Sequence, residues 1–329
     1  MEVHAGSRPG LRDVLVRVFG PRQRRAVVLA YLAALVLFLV GTIVSGGFAS
    51  SANVASILTA AALIGIAALG QTFVILGGGI DLSVPYVVTF SAVFLARLAD
   101  VSNGPLIWAV PLTLVLAGLV GCCTGIGVAY FRISPIIMTL AAGGILSGLL
   151  LLYTSGVGSP EAPPLLVSIA GHNHGFLRWA VVVWLLLGAI AAFVLARTVF
   201  GRRLFAVGTS PEVSRFSGIP AQRIIVLTYV INAMTAAITG FLLLGLDGQA
   251  FLSMGQPYLF ASIAAVAIGG TSILGGTGGY IGTAAGALIV ALATALMPIL
   301  NLSGASIPIV YGAVILVAVA AATGRLRAD

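Results

Sequence analysis

The sequence predicts an all-α polytopic membrane protein of about ten transmembrane helices, some of them broken, with both termini cytoplasmic. Three observations lead there. Of the 329 residues, 60% are hydrophobic and 7% are charged, where a soluble domain carries about 25% charge. The mean hydropathy is +1.17, and apolar runs near the roughly 20 residues a bilayer requires recur along the chain. All sixteen basic residues are arginines, and they cluster between those runs in a pattern that orients them. The 42 glycines suit helices that pack closely inside a membrane.

Taken in order, spans are expected at 26–46, 54–76, 84–99, 106–128, 135–153, 178–196, 224–246, 258–274, 280–300 and 307–323. Residues 1–25 form a polar cytoplasmic arm with six arginines, too polar for a cleavable signal peptide. Residues 26–323 form the membrane domain, and 324–329 a cytoplasmic tail. With the arm inside, an even number of spans returns the 197–223 loop and the tail to the cytoplasm. Fourteen of the sixteen arginines then lie inside, with only Arg97 and Arg178 near the outer face. The longest outer loop is 154–177. Its His172 and His174 have no third ligand nearby, so the loop reads as ordinary polar surface rather than a metal site.

Several functions drop out. A chain without lysine has neither a phosphate-binding P-loop nor a Schiff-base amine. GGTSILGGTGG (Gly269 to Gly279) imitates P-loop spacing, but Gly276 stands where the lysine belongs, so the stretch reads as membrane backbone. Cys122 and Cys123 are neighbours in an apolar run and imply neither a disulfide framework nor a metal cluster. No His cluster, G-x-S-x-G or paired acids suggest an intramembrane enzyme. No catalytic residue, bound metal or nucleic-acid partner is expected.

The stretch GGGIDLSVP places a carboxylate, Asp81, among glycines between two apolar runs. A charge inside a membrane is a functional candidate by default. Counting spans puts Asp81 at the inner end of the second span or at a break between half-helices. There Asp81 or Ser83 can cap the third span, whose first turn tolerates Pro85. That structural role is preferred over substrate contact, and both over ion coupling. Other candidates to line a pathway are Gln71, Phe73, Tyr86, Phe90, Tyr229, Asn232 and Thr271, with Asp81 and Ser83. Gln71 and Asn232 stand out, because a buried amide needs several hydrogen-bond partners. Such uncharged donors and acceptors, with aromatic faces nearby, suit a neutral polyol.

Within the 197–223 loop, Ser210-Pro211-Glu212 is a helix start: N-cap serine, proline at the first helical position, and glutamate in the first turn. Gly218 and Pro220 supply the stop. A two-turn helix should present Val213, Phe216 and Ile219 with Arg215 beside them. It is either a docking element for a partner's groove or a surface helix lying on its own membrane domain.

Four stretches resemble one family. VGTSPEVSRFSGI (Val207 to Ile219) resembles the coupling-helix segment of the ribose/xylose/galactose-type permeases of bacterial ABC importers. GQTFVILGGGIDLSVP (Gly70 to Pro85), RISPIIMTL (Arg132 to Leu140) and SIAAVAIGGTSILGGTGGYIGT (Ser262 to Thr283) resemble further signatures of that family, in the family's order.

The resemblance implies a multi-pass permease of the bacterial inner membrane, not an enzyme. It implies a cytoplasmic ABC ATPase as partner, an extracytoplasmic solute-binding protein, and a second permease subunit in a homodimer or heterodimer. ATP and Mg would be used on the ATPase, with no cofactor on this chain. Ser210, Glu212, Val213, Arg215, Phe216, Gly218 and Ile219 would form the ATPase-docking element. The solute would be a monosaccharide or related polyol.

The chain departs from the family where acids usually open the eighth span, here Tyr258 to Ser262. It departs again at Thr277, where a basic residue is common, and in the almost wholly apolar SIPIVYGAVILVAVA (Ser306 to Ala320). A substrate with fewer hydroxyls, or a heterodimer whose partner supplies the polar contacts, would account for these losses. Alternatives are a permease for nucleosides or branched-chain amino acids, and an ion-coupled secondary transporter using Asp81 or Asp247.

Overall fold

The computed structural model describes residues 21–156, 160–171, 178–302, 306, 308–313, 315 and 316. Helices account for all the regular structure among these residues, apart from one isolated bridge between Glu161 and Gln249. They are α1 (Pro21–Val44), α2 (Ser51–Leu76), α3 (Val84–Ala99), α4 (Leu106–Ala129), α5 (Pro135–Thr154) and α6 (Pro164–Gly171). They continue with α7 (Trp179–Arg197), α8 (Val199–Thr209), α9 (Pro211–Phe216), α10 (Ala221–Asp247), α11 (Tyr258–Ile268) and α12 (Tyr280–Leu296).

Six of these (α1, α2, α4, α5, α7 and α10) are long and apolar enough to cross a membrane; α3, α11 and α12 are apolar but shorter. Eight of the nine start within three residues of the expected positions, while α1 begins at Pro21, inside the expected polar arm. Most of the arm at 1–25, the histidines of the 154–177 loop, the tail and much of the expected 307–323 span lie outside the described residues.

Two helices organise the bundle. α10 packs against α2, α3 and α4, while α2 also meets α7, α11 and α12. Side-chain size explains the choice of neighbours. Along α4, Ala117, Gly121 and Gly125 recur every fourth residue and make one smooth stripe. A Cβ on Gly125 would lie 2.8 Å from the Val226 Cα, and one on Gly121 would strike the Tyr229 carbonyl. Small residues at this spacing let two helix backbones meet where no hydrophobic force separates protein from lipid. The outer helices turn Ile43, Ile107 and Leu152 outward, as lipid-facing surfaces do.

Hydroxyls tie the layers together. The Trp184 indole N–H of α7 donates to the Tyr280 hydroxyl (2.7 Å), which donates to the Gly65 carbonyl of α2 (2.9 Å). Thr72 of α2 meets Thr283 of α12 at 2.9 Å. At the α6 end, the Ala162 amide donates to the Gly248 carbonyl and the Ala250 amide to the Pro160 carbonyl, strapping 160–163 to the end of α10.

An expected result follows from the relay through Tyr280. Tyr280→Phe strands the Trp184 N–H and takes the side-chain donor from the Gly65 carbonyl, so two bonds go, whereas Trp184→Phe removes one. Each interhelical bond is worth about 1 kcal/mol, so Tyr280→Phe should lower the thermal midpoint of the solubilised protein more than Trp184→Phe does. Equal midpoints for both variants would show that the relay contributes nothing.

The model corrects three expectations. The 258–274 span is a half-length helix: α11 ends at Ile268, and Gly270 at φ +82° turns the chain into a non-helical segment up to Gly279. A continuous apolar run hides this stop from a hydropathy count. The 197–223 loop carries an additional helix, α8, whose Leu204 and Val207 are fully buried. The helix after Ser210 is about one and a half turns, not two, because Ser217 already leaves helical geometry ahead of Gly218 at φ +74°.

Candidate functional site

The segment between α2 and α3 is where the bundle buries its polarity. α2 stops at Leu76, with the Gly77 amide still bonding the Phe73 carbonyl at 3.1 Å; Gly78 then takes φ +84°, and the chain is non-helical up to Ser83, whose carbonyl accepts the first bonds of α3. Irregular backbone at such depth survives only where protein surrounds it and its polar groups find partners. Asp81 organises those partners. Its Oδ1 accepts from the Ser83 amide (2.8 Å) and the Ser83 hydroxyl (2.6 Å), closing a turn of the kind Asp side chains favour. Its Oδ2 accepts from Asn232 Nδ2 of α10 at 2.8 Å.

The same Asn232 nitrogen donates, at 3.4 Å, to Gln71 Oε1 of α2. Because a carboxylate oxygen only accepts, the Asn232 amide must present its nitrogen to Asp81 and its oxygen elsewhere. Gln71 and Asn232 have no exposed surface, and Asp81 and Ser83 are almost as deeply buried. Tyr229, one helical turn before Asn232, brings its hydroxyl to Gly79: a Cβ there would lie 2.6 Å from it. Five of the candidates thus form one cluster linking α2, α10 and the break.

Three polar atoms in this cluster lack any partner: Gln71 Nε2, Asn232 Oδ1 and the Tyr229 hydroxyl. The expected capping of α3 takes another form. Ser83 occupies the N-cap position but makes no side-chain cap bond: its backbone is already helical (φ −82°, ψ −11°) rather than extended, and its hydroxyl donates to Asp81. Pro85 sits in the first turn of α3 as expected.

The remaining pathway candidates are engaged elsewhere. Phe73 stacks on Phe200 of α8 with centroids 6.1 Å apart, Phe90 stacks on Phe94 at 5.2 Å, and the Tyr86 ring packs where Gly143 of α5 leaves room. Thr271 lies in the segment after α11, accepting from the Gly279 amide at 3.2 Å. A residue the sequence reading passed over matters more than any of these. Gly70, directly before Gln71, faces α10 so closely that a Cβ would overlap the Asn232 Cα and the Thr235 hydroxyl. Its position beside a buried glutamine was the available signal.

A second junction lies where α8 meets the end of α2. The Gly276 amide donates to the Leu76 carbonyl at 3.0 Å, and any Cβ on Gly208 would strike that same carbonyl. Four residues separate Leu76 from Asp81, and two separate Gly208 from the start of α9. On α9, the Ser210 hydroxyl accepts from the Val213 amide (3.3 Å), so the serine cap is real. Phe216 is 93% exposed and Val213 63%, while Ile219 turns inward against the core. Glu212 lies in the exposed first turn, and Arg215 lies half-buried beside Phe216.

Amides, hydroxyls and one carboxylate, sealed in an apolar helical bundle, offer binding chemistry rather than bond-making chemistry. The class is a membrane transport component. Across residues 53–319 the chain matches the family model described as "Branched-chain amino acid transport system / permease component", and it belongs to that family, as a multi-pass protein of the inner membrane.

It is 31% identical to the ribose import permease protein RbsC of Haemophilus influenzae, covering 89% of this chain and 91% of that one. It is 33% identical to the fructose import permease protein FrcC of Rhizobium meliloti, over 79% of this chain and 75% of that one. It is 34% identical to the autoinducer 2 import system permease protein LsrD of Photorhabdus laumondii, covering 69% and 70% of the two. No solved structure matches the chain significantly.

Proposed function

We propose that this chain is the permease subunit of an ATP-binding-cassette importer, moving a monosaccharide or related polyol delivered by an extracytoplasmic binding protein. Hydrolysis of ATP, with Mg, takes place on a separate cytoplasmic ATPase, and a second permease completes the pathway. Relatives named for ribose, fructose and autoinducer 2 import support a sugar-like solute over the amino acid in the family's description. Ten spans with both termini cytoplasmic remain the topology that best distributes the arginines.

The observation that carries the reading is α9. So short a helix is marginal by itself, yet it is capped, braced by α8, and holds Phe216 almost wholly exposed. A surface helix lying on its own domain would turn that ring inward. Phe216 and Val213 suit an apolar cleft on the ATPase, with Ser210 and Gly218 shaping the helix and Glu212 and Arg215 at its rim. Movement of α9 reaches the Asp81 break through α8 and the Gly208–Leu76–Gly276 contact.

The test is co-purification of the ATPase with the permease from membranes. Phe216→Asp should reduce recovery of the ATPase at least about tenfold, since it puts a charge into an apolar pocket. The permease itself should be recovered at its normal level. Full recovery of the ATPase with this variant would remove α9 as the docking site.

A further inference from the structure

We propose that Gln71, Asn232 and Tyr229, held around Asp81, are the contact site for the solute's hydroxyl groups on the pathway. The inference rests on the sugar-import reading and adds to it where and how this chain reads the solute.

Three buried polar atoms of the cluster have no hydrogen-bond partner. A buried polar group without a hydrogen bond costs about 1–3 kcal/mol, and more where hydrocarbon surrounds the protein. Gln71 Nε2, Asn232 Oδ1 and the Tyr229 hydroxyl leave that cost unmet on residues of one hydrogen-bonded cluster, while the buried hydroxyls of Thr59, Thr72, Thr113 and Thr154 bond backbone carbonyls and Ser91 stands as a single unpartnered hydroxyl elsewhere. Elsewhere a threonine bonds its own helix four residues back. Here, amides from α2 and α10 leave one end of each free while the other end is fixed.

The chemistry of the free ends defines the ligand. Gln71 offers donors, Asn232 an acceptor, and Tyr229 either. A hydroxyl both donates and accepts, so adjacent hydroxyls on a neutral carbon skeleton match this set. A bare cation would leave the Gln71 N–H groups facing it, and an anion would meet the Asp81 carboxylate. Asp81 itself is already occupied by Ser83 and Asn232 and acts as a positioning residue: it fixes which end of the Asn232 amide is free. The site also joins α10 to the α2–α3 break, so a solute bound there would touch both elements.

The experiment is uptake by the complete importer in cells, with labelled D-ribose, D-fructose and 2-deoxy-D-ribose as probes. The binding protein is the same for every variant, so a change in the ribose to deoxyribose ratio between variants arises in the permease. Tyr229→Phe and Gln71→Leu should each change that ratio about tenfold, the worth of one ordinary hydrogen bond, with ATPase co-purification unchanged. A merely structural role would lower both rates together and leave the ratio alone, which would overturn the site. Unchanged rates and ratios would overturn it too, while leaving the import reading intact. Wild-type cells that take up none of the three sugars, with the permease and ATPase assembled, would overturn the sugar reading and this inference with it.

Discussion

Gly70→Leu should abolish folded protein. The backbones of α2 and α10 approach at this glycine so that the first added carbon already overlaps the Asn232 Cα and the Thr235 hydroxyl. Nothing flexible stands in the way: the obstacle is a helix backbone that α3 and α4 brace from other sides. Overpacking a rigid contact costs about 3 kcal/mol or more, a large share of what a folded chain has in reserve. Separating the helices would also pull Asn232 from Asp81 and strand the carboxylate. The measurement is the monodisperse fraction after solubilisation, expected near zero for Gly70→Leu and reduced for Gly70→Ala. Wild-type recovery of the leucine variant would mean that the two helices are not in contact here.

Asp81 should show a large difference between two substitutions. Asp81→Ala leaves the Ser83 amide, the Ser83 hydroxyl and the Asn232 Nδ2 without their acceptor inside the bundle. At about 1–3 kcal/mol for each stranded donor, the loss is about 3 kcal/mol or more. Asp81→Asn keeps one oxygen for Ser83. Its new NH₂ would face the Asn232 nitrogen, but Asn232 can turn its amide over and Gln71 with it, because Asn232 Oδ1 and Gln71 Nε2 have no partners to lose and would then face each other in place of the present bond. The thermal midpoint of Asp81→Asn should therefore stay near wild type, while that of Asp81→Ala falls well below. The reverse order would show that the charge, not the acceptor geometry, stabilises the break.

Much of this architecture could be read from residue order because membrane helices announce themselves by length and apolarity. The starts of α3 and α5 fall where that signal placed them, with Pro85 and Pro135 in their first turns, while α2 and α10 start three residues before the expected 54 and 224. What escaped was what hydropathy does not encode. The turn at Gly269–Gly270 interrupts an apolar run without making it polar, so α11 looked like a full span. α8 was hidden because its buried face is only Gly201, Leu204 and Val207, too little to stand out in a basic loop.

In the site, Gln71 and Asn232 were identifiable because a buried amide demands partners, and the geometry joins both to Asp81. Their relation to Gly70 was not, since a glycine's role in letting two helices meet depends on a neighbour 160 positions away. Ser83 had the residue type of a cap and the position of one, but its helical backbone angles do not aim Oγ at the first-turn amides, and its hydroxyl donates to Asp81 instead.

The central claim is that ATP hydrolysis on a partner drives this chain, through α9 and the contact of Gly208 with Leu76. It is tested most directly in proteoliposomes containing the permease with its ATPase and binding protein. Uptake should require ATP inside the liposomes or on the ATPase side, and Phe216→Asp should eliminate it. Uptake by this chain alone under a proton or sodium gradient, with no ATPase present, would contradict the account.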